Sequence, residues 1–109
     1  MIKIEKKVFT PNATTALLVE STLKTLKKKS DILDLGCGTG YVGLTVAKKT
    51  KLKNKYFFSD ISKEAISLCK RNAKRNKIKI FAKAGTMYVP WEGDKFDLII
   101  ESISAIAKK

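Results

Sequence analysis

Histidine is absent from these 109 residues, and acidic side chains are scarce. With no His, and with only Cys37 and Cys69, which form neither a CxxC pair nor part of a larger set, the sequence offers no zinc site and no other metal set. Both cysteines read as small apolar residues in a reducing compartment. No apolar run reaches the roughly 18 residues that a membrane span needs. The opening Met1-Ile2-Lys3-Ile4-Glu5-Lys6-Lys7 lacks the apolar core of a signal peptide. A soluble cytoplasmic protein with no membrane partner is therefore expected. Asp and Glu number 10 against 23 Lys and Arg, giving a formal net charge of +13. That balance suits RNA, DNA or acidic protein surfaces. The charge is nearly all Lys and Ile is frequent too, a pattern that compositional drift produces equally well.

What is present is an alternation of helical and extended patterns. Hydrophobic residues make up 44% of the chain, enough for one folded domain with a modest core. Asn12 reads as an N-cap after Pro11, and Ala13, Ala16, Leu17, Val19, Leu23 and Leu26 recur near helical spacing over 13–28. Asp31 to Leu35 is a short apolar strand stopped by glycine. A tight loop, Gly36 to Gly40, leads into a helix over 41–50 with Val42, Leu44, Val46 and Ala47 inward. Lys55 to Ser59 is a second strand closed by Asp60. Ser62 N-caps a third helix running to about Asn76, with Ala65, Ile66, Leu68, Cys69 and Ala73 inward. Ile78 to Ala82 is a third strand and Phe96 to Ile100 a fourth, separated by turns at Gly85, Pro90 and Gly93. Ser102 to Lys109 starts a further helix. Strands alternating with helices predict a parallel α/β sheet with ligands at the carboxyl ends of its strands.

The informative segment is Asp34-Leu35-Gly36-Cys37-Gly38-Thr39-Gly40-Tyr41. A strand runs into a glycine loop that opens a helix, whose N-terminus offers free N–H groups and partial positive charge. The spacing is Gly-x-Gly-x-Gly. The third glycine of a GxGxxG dinucleotide fingerprint would fall on Tyr41. An acid, Asp34, stands two residues before the first glycine. A carboxylate there repels a pyrophosphate and suits a cation such as a methionine ammonium, so the pattern moves away from NAD. A second acid, Asp60, lies 20 residues past Gly40 at a strand end, where a carboxylate can accept from two ribose hydroxyls. Its bland alternative is a turn or helix-cap aspartate.

On these residues the chain resembles the N-terminal half of a class I S-adenosylmethionine (SAM) dependent methyltransferase, and the segment around Gly36–Gly40 looks like motif I of that family. The resemblance implies a Rossmann-like fold and SAM as cofactor. Asp34, Gly36, Cys37, Gly38 and Gly40 would lie against its methionine and ribose, Asp60 on the ribose diol, and Ile61 against the adenine. Gly85, with Thr86 beside it, matches the loop that holds the adenine edge, although the acid often found there is missing. Pro11-Asn12-Ala13-Thr14-Thr15-Ala16-Leu17-Leu18-Val19-Glu20 is similar to the helix before motif I in release-factor glutamine methyltransferases and their small-domain relatives. In those enzymes the helix covers the cofactor, and Thr15 is the matching threonine.

Two features depart from the family. After Phe96-Asp97-Leu98-Ile99-Ile100 the chain reads Glu101-Ser102-Ile103-Ser104 in place of Asn/Asp-Pro-Pro-Tyr. Glutamine or adenine amino methylation thereby loses its main support. Glu101, on the cofactor or substrate side, is either a general base or a polar strand end; no catalytic residue is identified. The sequence also supplies only strands for the order 3-2-1-4, with strands 5–7 of the family absent. A single SAM-binding domain over 1–109, truncated at its C-terminus, is the expectation. Its strand-four edge (Phe96, Leu98, Ile99, Ile100) would be exposed and open to a dimer or partner chain.

Lys63, Lys70, Arg71, Lys74, Arg75 and Lys77 cluster on and after the third helix, as a rail for RNA phosphates or as a solvated face. Tyr88 and Trp91 either stack on a base or fill a core corner. The leading expectation is a SAM-dependent methyltransferase domain acting on a macromolecule, RNA or a ribosomal or translation protein. The competitors are a non-catalytic SAM or nucleotide-binding module that needs a partner chain and, behind it, an NAD-dependent enzyme.

Overall fold

The computed structural model describes residues 13–86, 89–91 and 93–101. Its elements are α1 (Ala13–Thr25), β1 (Asp31–Leu35), α2 (Tyr41–Lys49), β2 (Lys55–Asp60), α3 (Lys63–Arg75), β3 (Phe81–Ala84), a 3-10 turn at Val89–Trp91, and β4 (Leu98–Glu101). All strand pairs are parallel and the sheet order is β3-β2-β1-β4. The predicted α/β fold with strand order 3-2-1-4 is the observed one. The helix expected over 102–109 and the side chain of Tyr88 lie outside the described residues.

Alternation along the strands divides the interior in two. Ile32, Tyr56, Phe58 and Ile100 face the helices and merge with Val19, Val42, Leu44, Val46, Ile66, Cys69 and Ala73 into one core. Across the sheet the register aligns Phe81, Phe57, Leu33 and Ile99 in a row on the opposite side. There Phe57 stacks on Phe81 and meets Trp91 and Phe96 edge-on, at centroid distances of 5.0, 5.1 and 5.1 Å. Central β1 is covered on both sides, as parallel strands require.

Four expectations need correction. The inward face of α1 is Thr15, Val19 and Thr22, with Leu18, Leu23 and Leu26 packed partly against the core, whereas Ala16 and Leu17 are exposed, Leu17 at 65%. The helix ends at Thr25 rather than near Lys28. Ser30 captures the chain there, its N–H donating to Asn54 Oδ1 and its hydroxyl to the Lys28 carbonyl. β3 begins at Phe81, not Ile78. Lys77 adopts φ 59° after the C-cap Asn76, and the N–H groups of Lys77 and Ile78 donate back to Lys74 O and Ala73 O. This is a Schellman closure, and it uses Ile78 as the apolar clasp of α3 instead of a strand residue. At the β4 edge only Ile99 is substantially exposed; Ile100 is buried, and Phe96 packs on Phe57.

Candidate cofactor site

The carboxyl ends of β1 and β2 are tied together by the glycine loop. The Ser59 carbonyl accepts from both Gly36 N–H (2.9 Å) and Cys37 N–H (3.0 Å). One oxygen of Asp60 accepts from Gly38 N–H at 2.9 Å and the other from Ser62 N–H at 2.9 Å. Gly36, Gly38 and Gly40 take φ of 70°, 57° and 89°. At Gly40 the requirement is double: the left-handed φ disfavours a side chain, and a Cβ there would stand 2.7 Å from Cys69 Sγ. The loop closes with Gly40 N–H donating to Cys37 O, and α2 starts with Leu44 N–H donating to Gly40 O, both at 2.9 Å. Gly40 brings no side-chain cap of its own, and the start of α2 turns the positive end of its dipole toward the loop.

Asp34 is 1% exposed, and its Oδ2 accepts from Gly43 N–H at 3.0 Å. The carboxylate thus anchors the third residue of α2 from below, a role that sequence spacing did not suggest. Asp60 is half-buried and spans loop and helix start, combining the turn reading with the strand-end position expected for a ribose acceptor. Each of its oxygens carries two lone pairs, so acceptor capacity remains beyond the two backbone bonds. Ile61 follows at 72% exposure, a bare apolar side chain beside the site. Gly85 joins the same rim, since its N–H donates to the Asp60 carbonyl at 2.9 Å. Glu101 pairs with Leu35 in register, on the side of β1 opposite Ser59, and is exposed. Thr15 is fully buried on α1, which packs against α2. Trp91 is buried, with Nε1 donating to the Phe58 carbonyl at 3.3 Å, so it fills a corner of the core.

Cys37 and Cys69 are both buried. A hydrogen bond with Cys69, followed by burial, holds the Cys37 thiol well above its ordinary pKa. Both are buried packing residues, Cys37 within the loop and Cys69 on α3 beneath it.

Sequence reasoning missed Asn72. Fully buried on α3, it donates from Nδ2 to the Thr39 carbonyl at 3.0 Å and so fastens the glycine loop to a helix far away in the chain. Its signal was a polar residue inside the apolar stripe of Ala65, Ile66, Leu68, Cys69 and Ala73. The hydroxyls of Thr39, in the loop, and Ser59, where the loop crosses β2, are buried without a hydrogen-bond partner. Glycine backbone, helix-start donors, spare carboxylate lone pairs and these hydroxyls together fit an amino-acid nucleoside such as SAM. Among the described residues no group of three or more His, Cys, Asp or Glu is placed to hold a metal ion.

Comparison with known proteins agrees with this geometry. The family description Methyltransferase small domain matches residues 5–102. The release factor glutamine methyltransferase of Aquifex aeolicus is 30% identical over 107 residues, which are 94% of this chain and 37% of that protein. The ribosomal protein L11 methyltransferase of Dictyoglomus thermophilum is 33% identical over 92 residues, 84% of this chain and 30% of that protein. In three dimensions the ribosomal protein L11 methylase of Lactobacillus delbrueckii subsp. bulgaricus superposes with a TM-score of 0.75 at 26% identity, covering 90% of this chain and 50% of that one. The chain spans little more than a third of the length of the first of these relatives. It belongs to the methyltransferase small domain family, whose class I fold uses S-adenosylmethionine.

Proposed function

We propose that the chain is the SAM-binding portion of a methyltransferase that modifies a translation protein. The observation that carries this reading is the link between loop and neighbouring strand: Asp60 holds Gly38 with one oxygen while the Ser59 carbonyl holds Gly36 and Cys37. In this reading the loop from Gly36 to Gly40 lies along the methionine and ribose, with Cys37 lending its backbone, and Asp60 accepts from the ribose hydroxyls. Ile61 and Gly85 flank the adenine, Thr15 belongs to the covering helix, and Asp34 acts through the α2 start that it anchors. When bound, the cofactor supplies an electrophilic methyl group on a sulfonium. The protein's own contribution is to hold the two reactants in line, which requires no covalent residue. Glu101, at the end of β4, faces the acceptor side.

The relatives named for release factor and ribosomal protein L11 support a translation-protein acceptor, and with it a cytoplasmic location. No helix among the described residues is long and apolar enough to cross a membrane. In this reading the β4 edge of the described sheet, with Ile99 exposed, is where further strands or a partner would pair. The unpaired β4 edge of the described sheet also favours a second reading, a SAM-binding module that is silent without a partner chain.

Calorimetry with S-adenosylhomocysteine tests the site. Asp60→Asn is expected to weaken binding by about 2 kcal/mol, the range of a hydrogen bond to a charged group. Equal affinity in parent and variant would remove Asp60 from the site. Methyl incorporation from labelled SAM into release factor or L11 separates enzyme from silent module.

A further inference from the structure

All strand pairs are parallel, so every strand starts at the same pole, opposite the glycine loop, and the helices that feed the strands end there. Three connectors make the passage from helix end to strand start: 26–30 into β1, 50–54 into β2 and 76–80 into β3. They lie side by side in the order of the sheet, about 10 Å across at the usual strand spacing. They hold Lys27 to Lys29, Lys51, Lys53, Lys77 and Lys79, all exposed, and no Asp or Glu. Lys24, Lys48, Lys49, Lys74 and Arg75 add to them from the last helical turns. Of the acids, Asp31 opens β1 and Asp97 stands just before β4, where its Oδ2 already accepts from the Asp31 N–H at 2.8 Å. At the opposite, ligand-side pole the connectors 36–40 and 61–62 and the described residues 85–86 contain no Lys or Arg.

Compositional drift toward lysine would load both poles alike, whereas here the charge follows the direction of the chain. Helix dipoles favour cations at helix ends. That accounts for the last turns of α1, α2 and α3, but not for Lys51 and Lys53 beyond the C-cap Thr50, nor for Lys77 and Lys79 beyond the C-cap Asn76. We propose that this basal pole docks the phosphate backbone of a folded RNA, and so holds the protein on RNA while the cofactor end stays free for its protein acceptor. A one-signed set of point charges is complementary to a phosphate chain. The three connectors contain no aromatic residue to stack on unpaired bases, which points to the backbone of paired RNA. A protein partner would call for an apolar centre, and lysine is depleted in protein interfaces. Leu26, Leu52, Ile78 and Ile80, the apolar residues of the connectors, are half-buried, so none stands out to form such a centre or to enter a bilayer. Lysines alone also attract anionic lipid. The choice of RNA over a bilayer therefore rests further on the translation-protein acceptor proposed above, since a release factor or ribosomal protein is met beside folded RNA.

The test uses the full chain without cofactor or acceptor. Fluorescence anisotropy follows a labelled RNA hairpin of about 16 base pairs, the span that a small domain covers. The variant K28Q/K53Q/K79Q takes one lysine from each connector, and K63Q/K70Q/K83Q removes equal charge from α3 and β3 away from that pole. Circular dichroism melts check that both remain folded. The basal triple is expected to lose about tenfold in affinity and to flatten the log–log salt slope by about 2, while the other triple stays within about twofold of the parent. The single K53Q, in a coil segment, is expected to lose about twofold and decides the matter should the triple melt early. S-adenosylhomocysteine affinity by calorimetry should be the same with and without saturating hairpin, since the two poles are apart. Equal losses in both triples would overturn the proposal in favour of diffuse charge, and competition between hairpin and S-adenosylhomocysteine would overturn it too. Tighter binding to phosphatidylcholine vesicles with about 30% phosphatidylserine than to the hairpin would give the pole to a bilayer instead. Failure of methyl transfer to release factor or L11, with these binding results intact, would remove the acceptor reading and leave the docking surface standing.

Discussion

Replacing glycine by alanine inside a helix ordinarily stabilises it by about 0.5–1 kcal/mol. At Gly43 the sign should reverse. A Cβ there would stand 2.5 and 2.7 Å from two ring carbons of Phe58 and 3.0 Å from Asp34 Oδ2. Phe58 is 0% exposed, so its ring has no solvent to swing into, and the Asp34 carboxylate is held by Gly43's own N–H. Overpacking a filled core costs about 1–3 kcal/mol. Set against the helix gain, Gly43→Ala should lose about 1–2 kcal/mol net. For a chain of this size that lowers the melting temperature by roughly 5–15 °C. Thermal melts followed by circular dichroism measure it, and Phe58→Leu supplies the control. The double variant should lose less than the sum of the two singles, with a coupling of about 1 kcal/mol. If Gly43→Ala melts higher than the parent, helix propensity alone governs the position, and the close approach of α2 to β2 is refuted.

Other consequences follow from the same geometry. Asn72→Ala leaves the buried Thr39 carbonyl without its donor and should cost about 2 kcal/mol by chemical denaturation. It should also weaken S-adenosylhomocysteine binding, whereas a purely packing role would spare affinity. Ser62→Ala removes the oxygen that accepts from Ala65 N–H and should cost about 1 kcal/mol in the same assay. The Cys37 thiol is raised by its bond to Cys69 and by burial, so its contribution is complete below its ordinary value of 9.0 and is lost as pH climbs beyond it. Stability measured against pH should therefore decline on the alkaline side in the parent. Cys37→Ala should show a shallower decline; identical slopes would remove the thiol from the account.

Much of the site was legible because its information is local. The strand, the three glycines and the helix that follows are contiguous from Asp31 to Lys49, and their steric demands act on neighbours in the chain. Ser62 was readable for the same reason, its cap reaching only to Ala65. Asp60 could be placed at a strand end, but which donors its carboxylate meets could not be foreseen. Gly38 lies 22 residues away, and the pairing of β1 with β2 decides that they meet.

What the sequence determined alone was the order of elements, the parallel sheet and the glycine loop, because hydrophobic period and backbone sterics depend on residues a few positions apart. Tertiary structure decided the rest. The side of α1 that packs inward places Thr15 and Thr22 inside and Leu17 outside, against simple hydropathy. Asp34 turned under α2, Asn72 crossed 33 residues to Thr39, and Ile78 was taken from the third strand to clasp α3. A buried polar group must find its partner wherever the fold brings one. No local pattern encodes that address.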